Sequence, residues 1–188
     1  MNRPLIAVFA LFLAVSVMAE TPEEEANRYL QTMITAIAEK NDPMRNRMFI
    51  KLRVLGDDSV APLLAALEHE SPDARRYVAF TLGFFEDPRV AGPLLALFAS
   101  DPEVPVRTAA AEALGRQRSK DAVDPLIAAL SDAIASIRQS AAYSLGLIGD
   151  PRARPALERA KGDADDLVRF FAEEALVEIE REAARKKQ

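Results

Sequence analysis

The chain carries few of the side chains that enzymes use as nucleophiles, bases or metal ligands. Of its 188 residues one is a His, His69, and none is a Cys. One imidazole cannot assemble a catalytic triad or a multi-histidine metal site, and without thiols there are no disulfides or Cys nucleophiles. The seven Gly are scattered and form no phosphate-binding loop. We therefore expect no catalytic residue, no cofactor and no metal, and a chain that is not an enzyme.

Arginines at one position of a regular pattern are the first candidates for binding. Each lies seven residues before a leucine, and they are Arg75, Arg107, Arg138 and Arg169. A guanidinium can form forked hydrogen bonds to carboxylates and carbonyls. Two interpretations stay open: the four arginines contact a partner along one edge, or each bridges helix-end carbonyls and acids of a neighbouring repeat.

Aromatic side chains are the second candidates. Five of the twelve Phe and Tyr residues fall between positions 77 and 98. Aligned copies place Tyr143 and two glutamates at the position of Phe80, so this position tolerates solvent. Exposed aromatic residues often anchor protein interfaces, although aromatic residues at helical spacing commonly pack inward. The predicted partner contacts are Phe80, Phe84, Phe85 and Tyr143.

A repeat of about 31 residues organises these candidates. Leu-Gly pairs end at Gly83, Gly115 and Gly146, which are 32 and 31 residues apart. We interpret each Gly as a left-handed residue that ends one helix. In two copies Asp-Pro then opens a segment that leads to a leucine-rich second helix. One helix pair cannot bury its own apolar face, so neighbouring pairs must stack.

The order Val-Arg, small residues, Leu-Gly, Asp-Pro and a leucine-rich helix resembles the HEAT-like repeat of the phycobilisome-lyase type, from about Asp42 to Ile179. The resemblance implies an all-α solenoid, a right-handed superhelix of HEAT-like helix pairs with capping helices. The pair His69-Glu70 is similar to the His-Glu pairs of deoxyhypusine hydroxylase, a HEAT-like di-iron enzyme. That enzyme carries several such pairs and this chain has one, so its metal site is not expected.

The N-terminal residues have the pattern of a secretory signal peptide. Arg3 precedes an apolar run, Leu5 to Val17, and Ala19 is a small residue at the predicted cleavage site. The run is shorter than the ~20 residues that span a bilayer, which disfavours the alternative of an uncleaved anchor. The predicted boundaries are a signal peptide at 1–19, a capping helix at 20–41 and a repeat domain at 42–188.

The predicted repeats cover about 42–70, 71–100, 101–132, 133–163 and 164–188. Their second helices, at 59–68, 89–99, 121–131 and 152–160, are expected to form the concave surface.

The formal charge of −5 disfavours binding to nucleic acid, which depends on basic side chains. We predict a non-catalytic protein-binding scaffold that is periplasmic or secreted. Its partner is another protein, with no nucleic acid and no stable membrane insertion after signal cleavage. Two alternatives stay open. One is a bilin-lyase-like or chaperone-like factor acting on a chromophore protein, as the resemblance implies. The other is a structural spacer anchored by an uncleaved N-terminal segment.

Overall fold

A computed structural model describes residues 20–185, so the predicted signal peptide lies outside the described residues. This part of the chain forms ten α-helices and four 3-10 turns, and it contains no strand. The α-helices are α1 (Pro22–Ala38), α2 (Asp42–Leu55), α3 (Val60–Ala65), α4 (Pro72–Leu82), α5 (Ala91–Ser100), α6 (Val104–Arg116), α7 (Val123–Ala129), α8 (Ala135–Ile148), α9 (Arg154–Ala160) and α10 (Asp166–Arg185). The 3-10 turns are Gly56–Ser59, Ala66–Glu68, Lys120–Ala122 and Pro151–Ala153.

The first helix starts at a capping box. The Thr21 side chain accepts from the backbone N–H of Glu24, and the Glu24 carboxylate accepts from the Thr21 N–H at 2.8 Å. Pro22 occupies the first helical position, where its missing N–H costs nothing. The buried side chains of α1 pack chiefly on α2, so α1 covers the N-terminal end of the array.

The repeat produces two layers of helices. Helices α4, α6, α8 and α10 lie side by side, and we call them the glycine layer. Helices α3, α5, α7 and α9, the leucine layer, each pack on the helix that follows them in the chain. Four leucines of the leucine layer are fully buried between the two layers, and they are Leu63, Leu94, Leu126 and Leu157. The predicted all-α solenoid is therefore confirmed.

The Leu-Gly glycines do not end helices in the left-handed conformation, so that interpretation is wrong. Gly115 and Gly146 lie inside α6 and α8, and Gly83 has the right-handed helical φ of −61°. They are glycines because neighbouring helices touch there. A Cβ on Gly115 would lie 2.8 Å from the Cα of Ser144, and one on Gly83 would lie 2.9 Å from the Cα of Ala113. Left-handed φ occurs instead at Gly149, which ends α8.

The contacts also correct the expected curvature. Neighbours in the glycine layer approach to backbone contact at its glycines, whereas neighbours in the leucine layer make few close backbone contacts. Two grooves of about 590 and 560 Å³ separate α3 from α5 and α5 from α7. A stack bends toward its more closely spaced layer, so the concave side belongs to the glycine layer and not to the leucine-rich second helices.

The Asp-Pro pairs begin turns rather than α-helices. Asp150 accepts from the backbone N–H of Arg152 at 2.9 Å and caps the 3-10 turn Pro151–Ala153, after which α9 starts. Asp87 accepts in the same way from Arg89 at 2.8 Å, and α5 starts at Ala91. Both aspartates cap as the pattern predicts, but the α-helices start a few residues later.

Candidate functional site

The four candidate arginines make the same local hydrogen bonds. In each of them Nη1 donates to two backbone carbonyls of the loop before its own helix, at 2.7–3.3 Å. The accepting carbonyls belong to His69 and Glu70, Asp101 and Pro102, Asp132 and Ala133, and Asp163 and Ala164. Each guanidinium thereby fixes a loop to the helix that follows it. Partner contact by these arginines stays a prediction.

Two of the arginines also join neighbouring repeats through forked ion pairs. Nε and Nη2 of Arg75 donate to the carboxylate of Asp101 at 2.7 and 3.1 Å. Arg138 donates to Asp163 in the same way, at 2.8 Å for both bonds. We call Arg75, Arg107 or Arg138, taken together with the aspartate 25 or 26 residues later, a rung. These two rungs are closed, and their side chains are largely shielded from water.

Electrostatics reinforce the closed rungs. Burial alone would raise the pKa of Asp101, but hydrogen bonds from Arg75 and from the N–H of Glu103 outweigh it and lower the pKa below its ordinary value. The pKa of Asp163 is also lowered, chiefly by the hydrogen bond from Arg138. Both carboxylates are therefore held in their charged form in the folded protein.

The rung between these two is open. Arg107 keeps its bonds to the carbonyls of Asp101 and Pro102, at 2.7 and 3.2 Å. Within residues 20–185 no ion pair joins it to Asp132, the aspartate at the corresponding position. Asp132 still accepts from the N–H of Ile134 at 2.7 Å, so its loop keeps the turn found in the closed rungs. The open rung therefore differs from the closed rungs in its side-chain contacts and not in the turn of its loop.

An aromatic cluster lies near the N-terminal end of the glycine layer. Its rings belong to Phe49, Phe80 and Phe84, and their centroids are 5.1–5.8 Å apart. The guanidinium of Arg116 lies 5.0 Å from the Phe80 ring, and that of Arg53 lies 5.1 Å from the Phe84 ring. Such cation–π contacts contribute about 0.5–2 kcal/mol, according to exposure. Nη1 of Arg116 is buried with no hydrogen-bond partner in the described structure.

A second group of aromatic residues lies at the other end of the same layer. The Phe171 ring lies 5.6 Å from Tyr143 and 5.4 Å from Phe170, which is 53% exposed. A groove of about 260 Å³ runs along these rings and is also lined by Glu174 and Glu178. The concave side therefore has arginines beside its aromatic residues at one end and glutamates at the other.

The predicted aromatic contacts divide into three kinds. Phe84 is 36% exposed, and Phe80 and Tyr143 are half-buried. Phe85 is only 7% exposed and belongs to the core, so its assignment as a contact residue is corrected. It directly follows Phe84 after the end of α4, and its ring packs in the cluster of buried core side chains. Partner contact by the other three stays a prediction.

The sequence reasoning missed Phe49, Arg53 and Arg116 as members of the aromatic cluster. Phe49 and Arg53 come from α2 and Arg116 comes from α6, and Arg53 and Arg116 lie 63 positions apart in the chain. The available signal was the register, because matching positions in successive copies hold Arg53, Phe80, Glu112, Tyr143 and Glu174.

His69 has a structural role in this arrangement. Its Nδ1 accepts from the N–H of Ser71 at 3.0 Å, and its carbonyl accepts from Arg75. Among the residues described, no group of three or more His, Cys, Asp and Glu side chains is placed to hold a metal ion. Nor does any helix within residues 20–185 have the length and apolar character needed to cross a membrane.

Comparison with known proteins agrees with this architecture. A family model for HEAT repeats matches residues 23–115 and 93–177, which is most of the chain. The chain belongs to the HEAT-repeat family. Its repeats are similar to those of the two lyase relatives described next.

The alpha subunit of phycocyanobilin lyase from Picosynechococcus sp. is 37% identical over 97 residues, which are 47% of this chain and 36% of that protein. The match therefore spans about a third of the length of that curated relative. The solved complex of CpcE and CpcF of phycocyanin lyase from Nostoc sp. contains a chain that is 26% identical, with a TM-score of 0.69. That match covers 78% of this chain and 97% of the solved one.

A designed armadillo repeat protein is 20% identical, with a TM-score of 0.55 over 71% of this chain and 69% of that one, and it shows the shared solenoid fold alone.

These names overturn the expectation that the chain is not an enzyme. Both phycobilisome-lyase relatives are described as parts of lyases, and one of them is a complex of two chains. The expectation rested on the lack of a catalytic set in one chain. That lack does not exclude an activity carried by a complex of two chains.

Proposed function

We propose that this protein is a bilin-lyase-like factor. It binds a chromophore protein and, together with a second protein chain, promotes the attachment of a linear tetrapyrrole to it. The observation that carries the proposal is the match to the CpcE–CpcF complex, which includes 97% of the solved chain. The fold of that one chain of the complex is therefore represented in this protein almost from end to end.

The concave side supports a role in binding a protein. Phe84 and Phe170 are partly exposed there, and Arg53 lies exposed beside Phe84. Aromatic and arginine side chains are enriched among the residues that dominate protein interfaces. The change from arginines at one end to glutamates at the other would fix the direction of a bound partner, because like charges facing each other are costly.

Attachment of a bilin tests the proposal directly. The protein would be incubated with phycocyanobilin and an apo-phycocyanin subunit, with CpcE or CpcF added in turn as the second chain. Covalent attachment would be followed by bilin fluorescence in a denaturing gel. We expect a rate roughly ten-fold or more above that without the protein, equivalent to about 1.4 kcal/mol in the barrier. An unchanged rate with both second chains contradicts the proposal.

A matched pair of surface variants tests the role of the concave side. The double substitution Arg53→Ala/Phe84→Ala removes exposed atoms of the aromatic cluster and should lower the attachment rate several-fold. The control is Arg159→Ala, which removes an exposed side chain from α9 in the leucine layer. Equal rates for the two variants would remove the concave side from the proposal.

Export is a separate proposal, supported by the charged start and apolar run of residues 1–19. It places the protein in the periplasm or outside the cell, and the chromophore protein would then have to be in the same compartment. Sequencing of the mature N-terminus tests export, and a retained Met1 contradicts cleavage after Ala19.

A further inference from the structure

The two grooves of the leucine layer are equivalent by sequence and differ in chemistry. The first groove, between α3 and α5, is lined by Leu64, Leu67, Arg75 and Pro93. The second, between α5 and α7, is lined by the residues 31 or 32 positions later, which are Leu95, Phe98, Arg107 and Pro125. Any ligand preference must therefore come from the few side chains at which the two grooves differ.

The first groove has little to offer an anionic ligand. Its arginine is engaged on all sides, because Nη1 of Arg75 donates to carbonyls while Nε and Nη2 donate to Asp101. Glu68 and Glu70 are exposed at its wall and would repel a negative charge.

The second groove presents its charges unpaired. Nη1 of Arg107 is held by two carbonyls, but Nε and Nη2 have no partner among the described residues. The carboxylate of Asp132 lines the same groove and accepts one hydrogen bond, from the N–H of Ile134. Both side chains are half-buried, so a ligand that met them would form its bonds in a partly desolvated site, where such bonds are strong.

The rest of the second groove is apolar. Phe98 and Ile137 are 8% and 2% exposed and form its floor, and Leu95, Pro125 and Ala129 stand at its edge. Its volume of about 560 Å³ lies within the range of small-molecule sites. An apolar groove with one guanidinium and one carboxylate fits a ligand that has an apolar body, a carboxylate and N–H donors.

We propose that the second groove binds a linear tetrapyrrole, with Arg107 donating to a propionate carboxylate and Asp132 accepting from pyrrole N–H groups. Linear tetrapyrroles have all three features on one apolar conjugated chain. This inference rests on the proposed function and adds to it a position for the tetrapyrrole before its transfer. The bound molecule lies in the leucine layer, away from the aromatic cluster of the concave side.

Titration of the purified full chain with biliverdin, followed by its visible absorption, tests the site. Biliverdin carries two propionates, and its dimethyl ester serves as the matched probe without carboxylates. Binding of biliverdin should be roughly ten-fold tighter than that of the ester, because one charge-assisted hydrogen-bonded pair is lost. Equal binding of the two probes overturns the role of Arg107.

Variants then locate the site. Arg107→Gln and Ala99→Trp, which fills the second groove, should each weaken biliverdin binding roughly ten-fold or more. The control is Glu68→Trp, at the matching position of the first groove, which should leave binding within about two-fold. Thermal melting checks that each variant is folded. Should Arg107→Gln unfold the protein, Ala99→Trp and Glu68→Trp still test the position of the site. Equal affinity of these two variants for biliverdin overturns the inference.

The inference and the proposed function fail separately. Biliverdin binding that is unaffected by Ala99→Trp overturns the groove, even where bilin attachment proceeds. Loss of bilin attachment in the Arg53→Ala/Phe84→Ala variant, with unchanged biliverdin binding, supports the proposed function and the groove together. It would show that the concave side and the second groove have separate roles. Tight, groove-dependent binding without any attachment overturns the proposed function alone.

Discussion

The two grooves of the leucine layer share one repeat pattern but contain rungs in different states. In the first groove Arg75 and Asp101 close the rung with a forked ion pair, whereas in the second Arg107 and Asp132 leave it open. Helix positions, loop turns and apolar walls correspond. Sequence position therefore determines which residues meet at a rung, but it does not determine whether they pair. A closed rung contributes to stability, and an open one is available to a ligand.

The largest expected difference comes from removing each arginine. Arg75→Gln leaves the Asp101 carboxylate, whose side chain is 4% exposed, without its partner, and it should lower the free energy of unfolding by about 3 kcal/mol. Arg107→Gln loses two bonds to carbonyls and a minor electrostatic attraction to Asp101, and should cost about 1 kcal/mol. Urea unfolding of the two variants measures both values. Equal losses would show that the rung of Arg107 is closed in solution.

Gly115 tests the spacing that both grooves depend on. Gly115→Ala places a Cβ 2.8 Å from the Cα of Ser144, forces α6 away from α8 and should cost about 2 kcal/mol. Gly92→Ala is the matched change in α5, where no atom lies within 4 Å of the new Cβ. It should change stability by less than about 1 kcal/mol. A tolerated alanine at Gly115 would mean that the glycine layer is not tightly packed.

Acid should weaken the closed rungs selectively. The pKa values of Asp101 and Asp163 are lower in the folded protein than in the unfolded chain, where about 3.9 is ordinary for Asp. Their contribution is therefore complete at neutral pH and is lost as the pH falls below about 4 toward the folded pKa values. Urea unfolding between pH 7 and pH 3 should show a shallower loss for Asp101→Asn than for the unchanged protein. Parallel curves would contradict the lowered pKa of Asp101.

The smallest effect is expected at the open rung. Asp132→Asn removes a charge that takes part in no ion pair in the described structure, and its amide oxygen can still accept from Ile134. Stability should change by less than about 0.5 kcal/mol, as chemical denaturation can verify. The same substitution at Asp163, in a closed rung, is the comparison, and a similar loss at both positions would remove the distinction between them.

Much of the fold was predictable because it follows from periodic positions. The 31-residue spacing placed the four arginines in one row, and the apolar pattern specified helices stacked in an array. The role of Gly115 was not predictable from one sequence. A glycine near the end of a helix is compatible both with a left-handed terminus and with close helix contact, and only the position of Ser144 decides between them.

The candidate site was less predictable, because side-chain contacts between repeats decide it. Phe84 and Phe85 are adjacent in the chain, yet one faces solvent and the other the core, since the turn after α4 interrupts the helical period. The cation–π partners Arg53 and Arg116 reach Phe84 from different helices. Whether Arg107 pairs with Asp132 depends on torsions that no spacing rule specifies.

The unequal spacing of the two layers has a mechanical consequence. Close backbone contact at the glycines fixes the spacing of the helices on the concave side. The grooves of the leucine layer leave space on the opposite side for the helices to move apart. A molecule bound between α5 and α7 would therefore rotate the helices before the groove relative to those after it, about an axis in the glycine layer. The remaining helices act as lever arms, so a small rotation at the middle of the array becomes a larger displacement at its two ends.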